Sequence, residues 1–151
     1  MKQSLPIKML IDLAQTEVDE AARRLGVLQQ QLIESQRQLD ALTQYRDEYR
    51  RRLAEDAQNG MDASHWRNFQ RFIDTLDVAM GQQRTAMETT DTRLHASKLE
   101  WQSRMQKLNS FETLQNRAQQ QENLRVARIE QRETDEFAAN SVRARANLNF
   151  E

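Results

Sequence analysis

The sequence predicts an all-α fold: a long two-helix antiparallel coiled-coil hairpin with a longer second helix. Two uninterrupted apolar seams, each advancing in alternating steps of three and four residues, mark two helices that pack along a narrow stripe. Between them lies one break, Asp56-Ala57-Gln58-Asn59-Gly60-Met61-Asp62-Ala63-Ser64, which holds an Asn-Gly pair suited to a left-handed turn and two candidate helix caps. Composition agrees, since of 151 residues only 38% are hydrophobic and 30% are charged, with three Gly and one Pro. Such a chain supports long helices and a thin seam, not a thick core.

The first helix is expected over 5–56, with Ser4 as its cap and Pro6 in its first turn, where a missing backbone donor costs nothing. Its seam runs Ile7, Ile11, Ala14, Val18, Ala21, Leu25, Leu28, Leu32, Ser35, Leu39, Leu42, Arg46, Tyr49, Leu53. At 1.5 Å per residue this arm is about 75 Å long. A tip turn over 57–63 follows, and then a second helix over 64–138. That helix carries the seam Trp66, Phe69, Ile73, Leu76, Met80, Gln83, Met87, Thr90, Leu94, Ser97, Trp101, Arg104, Leu108, Phe111. Gln83, Thr90, Ser97 and Arg104 make its middle polar, so packing is expected to be weaker there. The whole of 1–151 is read as a single coiled-coil hairpin.

Folding about Gly60 brings together seam residues whose numbers sum to 122, so that Ala21 faces Trp101 and Tyr49 faces Ile73. A one-heptad slip to a sum of 115, with Trp101 against Ala14, is the alternative; it needs a longer loop after Leu53. In the 122 register Ser4 pairs near Ala118, and about twenty residues, roughly 30 Å of helix, project beyond the paired region. The overhang mixes Arg117, Arg125, Arg128 and Arg132 with Glu122, Glu130 and Glu133, and is a marginal helix alone. A flexible tail is expected over 139–151.

The balance of 22 basic against 23 acidic residues, interspersed, excludes a dedicated nucleic-acid binder. With no Cys there is no disulfide or thiolate chemistry. No signal peptide or membrane span is recognisable, so a cytoplasmic protein without direct membrane insertion is expected. His65 and His95 have no partners at metal-ligand spacing, and neither a phosphate loop nor a nucleophile motif occurs. The chain reads as a non-enzyme with no cofactor and no metal.

Gln38 and Tyr45 on the first arm, and Phe72 and Ala79 on the second, each precede a seam residue by one place. In an antiparallel pair these places meet on one flank, where Leu42, Tyr49 and Leu76 lean out to complete an apolar-aromatic strip. Tyr45 and Phe72 either widen the core there or form a partner site.

Leu13-Ala14, Glu17-Val18-Asp19, Ala21-Ala22-Arg23, Tyr45, Glu48-Tyr49-Arg50, Asn59-Gly60, Ser64, Trp66, Asn68, Gln70, Phe72-Ile73 and Asp135-Glu136-Phe137-Ala138 together resemble the flagellar FliJ family, over nearly the whole chain. That resemblance implies a coiled-coil component of flagellar type III protein export, peripheral at the cytoplasmic face of the inner membrane. It implies a central stalk that enters the hexameric flagellar export ATPase, promotes its ring assembly and activity, contacts the cytoplasmic domain of the membrane export gate protein, and handles free export chaperones. The gate-facing positions it implies are Gln38, Leu42, Tyr45, Tyr49, Phe72, Leu76, Ala79 and Gln83. Gln83 stands where some relatives have His, and its amide can still donate and accept. The opposite end, with Ile7, Ile11, Arg117, Arg125, Arg128 and Arg132, is expected to enter the ATPase ring. Heptads alone equally fit a plain structural adaptor, a laterally packed dimer of hairpins, the corresponding stalk of a virulence type III secretion system, or a holdase. The tip motif favours the flagellar version over the virulence one, and a holdase would show a broader groove.

Overall fold

The computed structural model describes residues 6–149, with two helices, α1 over Ile7–Gln58 and α2 over Ala63–Leu148, and no strand among them. The expected antiparallel hairpin with a longer second helix is the fold. Pro6 stands just ahead of α1, and its carbonyl accepts from the amides of Met9 at 3.0 Å and Leu10 at 3.2 Å. A residue without an N–H donor thus serves where only its acceptor is needed. Ser4, expected as the cap, lies outside the described residues.

The turn is tight. Asn59 N donates to the Glu55 carbonyl at 3.2 Å, and Gly60 then takes φ 88°, the left-handed backbone that glycine adopts without Cβ strain. Asp62 starts the next helix, its carbonyl accepting from Trp66 N at 3.0 Å and its carboxylate from Ser64 N at 3.5 Å.

α2 continues to Leu148, past the expected end at 138 and through most of the tail expected to be flexible. Periodicity misjudged this end because the segment has no seam. What it has is intrinsic preference: Ala138, Ala139, Ala144 and Ala146 with no Gly or Pro, and Arg145 in the last turn against the helix dipole.

The chain divides into two compact units, one of Thr16–Met105 and one of Met1–Gln15 with Gln106–Glu151. In the first, Ile73 and Met80 are each 1% exposed and Val18 and Ala21 are also buried. Its cross-helix pairs fix the register. Glu17 with Arg104, Gln38 with Gln83, and Tyr49 with Phe72 each sum to 121, beside the expected 122 and far from 115.

The ion pairs explain why a slip is disfavoured. Arg24 Nη2 donates to Glu100 Oε1 at 2.7 Å, Arg104 Nη1 to Glu17 Oε2 at 3.1 Å, and Arg46 and Arg50 reach Asp77 at 3.6 and 3.5 Å. Moved one heptad toward 115, Arg24 would meet Arg93, Glu17 would meet Ser97, and Arg46 would meet Gln70. Each exposed pair contributes at most about 1 kcal/mol, but the slip loses them together and adds a like-charge contact.

The polar middle of the second seam is mostly satisfied inside this unit. Gln83 Nε2 donates to the Ser35 carbonyl and to Gln38 Oε1, both at 3.1 Å, and Thr90 Oγ1 donates to the Ala86 carbonyl at 3.0 Å. Ser97 differs: it is 8% exposed, and its buried hydroxyl has no hydrogen-bond partner.

In the second unit Ala14 and Leu108 are buried, and Ile7, Ile11 and Phe111 are half-buried. From residue 112 through 140 every residue of α2 is exposed. Burial along the seam therefore ends at its last residue, Phe111, and beyond it only Ser141 among the described residues is half-buried.

Candidate functional site

The flank predicted from heptad places is assembled in the unit Thr16–Met105. The Tyr49 ring leans out of the seam to lie 4.5 Å from Phe72 and 6.0 Å from Phe69, centroid to centroid, both tilted. Tyr45 is 58% and Phe72 43% exposed, so neither is absorbed into the core. Leu42, Leu76 and Ala79 are half-buried, and Gln38 is exposed and tied to half-buried Gln83. Among the eight positions named from the sequence, two contacts join the helices: Gln38 with Gln83, and Tyr49 with Phe72.

Two residues join this flank that the sequence reading left out. Arg52 places its guanidinium carbon 5.9 Å from the Tyr49 ring centroid while pairing with Glu48 at 3.1 Å. Its place was readable, being one heptad after Tyr45. Phe69 had been assigned to the seam alone, and its contact with Tyr49 shows that one ring can serve both.

The second predicted set lies in the other unit and is less uniform. Ile7 and Ile11 are half-buried seam residues, whereas Arg117, Arg125, Arg128 and Arg132 are exposed. Gln121, Leu124, Arg125, Arg128, Ile129 and Arg132 line one depression along the helix. Arg125 donates to both Glu122 oxygens, at 3.0 and 2.6 Å. This hydrogen-bonded pairing holds the Glu122 carboxyl below its ordinary pKa and raises that of Arg125.

Among the described residues no group of three or more His, Cys, Asp or Glu could hold a metal, and no helix is long and apolar enough to cross a membrane. His95 is exposed, with Nδ1 2.9 Å from the Asp91 carbonyl one turn earlier. What the surfaces offer is docking chemistry: aromatic faces on one unit and guanidinium groups on the other.

Comparison with known proteins finds relatives over nearly the whole chain. The family described as "Flagellar FliJ protein" matches residues 2–147. A flagellar FliJ protein of Salmonella typhi is 36% identical over 138 residues, covering 91% of this chain and 94% of that protein. Another, of Escherichia coli strain K12, is 35% identical over 129 residues, covering 85% of this chain and 88% of its own. Matched over nearly its whole length by the family and over most of it by two members, the chain belongs to the flagellar FliJ family.

Proposed function

We propose that the chain is the central stalk of the flagellar type III protein export apparatus, acting in the cytoplasm at the inner face of the inner membrane. In this reading Ile7, Ile11, Arg117, Arg125, Arg128 and Arg132 engage the hexameric export ATPase and promote its ring assembly and hydrolysis. Gln38, Leu42, Tyr45, Tyr49, Phe72, Leu76, Ala79 and Gln83 engage the cytoplasmic domain of the export gate protein. Free export chaperones are further partners, and the chain modulates catalysis by others instead of catalysing. The observation that supports two partners is that the two surfaces belong to different compact units: the open aromatics to Thr16–Met105, and the open arginines to the other. An exposed aromatic pair over a packed base is chemistry that interfaces use as an anchor.

The test mixes the purified chain with the cognate export ATPase and follows hydrolysis and ring formation. It compares the intact chain with a Tyr45→Ala/Phe72→Ala variant and a truncation after Ala118. Stimulation lost only in the truncation supports the stalk reading and leaves the aromatic flank for the gate. An intact, helical chain that stimulates nothing replaces the stalk with a structural adaptor.

A further inference from the structure

Of the eight asparagines in the chain, Asn59 alone precedes a glycine, and it is one of two that lie outside the helices. An asparagine amide is chemically labile because the backbone nitrogen of the next residue can attack it and close a five-membered ring. Two things restrain that attack: the bulk of the next residue, and any hydrogen bond its N–H already makes.

At Gly60 both restraints are missing. The pair is exposed, and no atom beyond its neighbours in sequence lies within 4 Å of where a Gly60 Cβ would stand. The Gly60 amide donates no hydrogen bond among the described residues. Bringing that nitrogen to Asn59 Cγ needs rotation about the Asn59 Cα–C bond. The nearest hydrogen bond is the one from Asn59 N to the Glu55 carbonyl at 3.2 Å, and bonds at a helix end open at little cost. Asn59 and Gly60 also line an open depression with Asp62 and His65, so water reaches them. Asn109 and Asn140 supply the contrast. They precede Ser110 and Ser141, the smallest followers after glycine, yet both pairs lie inside α2, where the serine N–H belongs to the helix ladder and the backbone is fixed.

We propose that Asn59–Gly60 is a site of spontaneous deamidation in the folded protein, with water as the only co-reactant. Gly60 N bonds to Asn59 Cγ, its proton passes to the departing side-chain nitrogen, and ammonia leaves behind a succinimide. Water then opens the ring at either carbonyl. Attack at the Asn59 main-chain carbonyl carbon breaks its bond to Gly60 N and leaves the chain running through Cγ as isoaspartate; attack at Cγ restores the ordinary chain as aspartate. Neither route oxidises or reduces anything. Both products add a carboxylate to the exposed tip between Asp56 and Asp62, and isoaspartate also adds an atom to the main chain where Gly60, at φ 88°, reverses it. Aged and newly made chains therefore differ at the tip, in charge and in the length of the turn.

The experiment holds the full chain at neutral pH and physiological temperature, folded and in guanidinium chloride, and follows each asparagine by peptide mass mapping. Ion exchange follows the folded sample as a whole. The expected result is an acidic species that maps to Asn59 and forms in the folded chain within about threefold of its rate in denaturant, while Asn109 and Asn140 react only once unfolded. An isoaspartate carboxyl methyltransferase with S-adenosylmethionine should methylate the aged chain and leave the fresh one unchanged, because direct hydrolysis without the ring yields aspartate alone. Asn59→Gln, which would need a six-membered ring, should remove both signals with helicity kept by circular dichroism. Stronger protection of Asn59 by folding overturns the proposal, since the turn then holds the pair out of reach. Reaction at Asn109 or Asn140 as fast as at Asn59 in the folded chain overturns it as well, and so does an aged chain that gains charge but accepts no methyl group.

Discussion

Over Thr16–Met105 the two helices hide Ile73 and Met80 almost completely, while from residue 112 to 140 the same second helix hides nothing. The later segment does not lack apolar side chains: Leu114, Leu124, Val126, Ile129 and Phe137 all stand exposed. They lack phase. In the paired unit the apolar residues recur on one stripe, so one partner helix covers them all; beyond Phe111 they are scattered around the axis, and no single neighbour could. Burial in this chain depends on where hydrophobic residues fall around the helix more than on how many there are.

The sharpest way to break that comparison is to remove one side chain from each region. Ile73→Ala is expected to lose about 3 kcal/mol of stability by chemical denaturation, whereas Leu124→Ala should change it by less than about 0.5 kcal/mol. Comparable losses would mean that the exposed segment is packed after all. A smaller effect, of opposite sign, is expected at Ser97. Replacing its unsatisfied buried hydroxyl by Ala should raise stability by about 1 kcal/mol; a loss would show that the hydroxyl has a partner in solution.

Smaller again is the register lock. Arg24 and Glu100 are both about half exposed, so Arg24→Glu alone should cost less than about 1 kcal/mol, with recovery in the swapped Arg24→Glu/Glu100→Arg pair. A double-mutant cycle without coupling would leave register to the seam alone. The least effect belongs to the exposed segment. Because Arg125 lowers the pKa of Glu122, their pairing stabilises α2 above the ordinary carboxylate range and is lost as pH falls through the lowered value. Amide protection near Glu122, taken relative to intrinsic exchange at each pH, should therefore fall only in acid, and Glu122→Gln should remove that fall; a loss of protection in acid that survives the substitution would exclude this pair as its source.

These contrasts also mark what the sequence made legible. The three-and-four spacing located the first seam completely, since every seam residue from Ile7 to Leu53 is buried or half-buried. On the second seam Trp66 alone is exposed, at 45%, because it lies just after the turn and the facing end of α1 offers polar Asp56. The aromatic flank was legible too, because heptad places translate directly into flanks of an antiparallel pair. One thing was not: periodicity reports packing and is silent about a helix held by Ala-rich preference, so 139–148 was misjudged.

The four-residue turn at Gly60 bears on the order in which the molecule assembles. Moving away from it, cross-helix partners lie 45 residues apart at Gln38 and Gln83, 76 at Arg24 and Glu100, and 87 at Glu17 and Arg104. Closing the largest loop first forfeits the most chain entropy, whereas zipping outward from the turn closes only short ones. The hairpin is therefore predicted to nucleate beside Tyr49, Phe69 and Phe72 and to finish at Glu17 and Arg104. Stopped-flow measurements would see this as slower refolding in Ile73→Ala but mainly faster unfolding in Arg104→Ala; equal retardation of refolding in both would rule out the zipper. On this view the aromatic flank is also the first surface of the protein to exist.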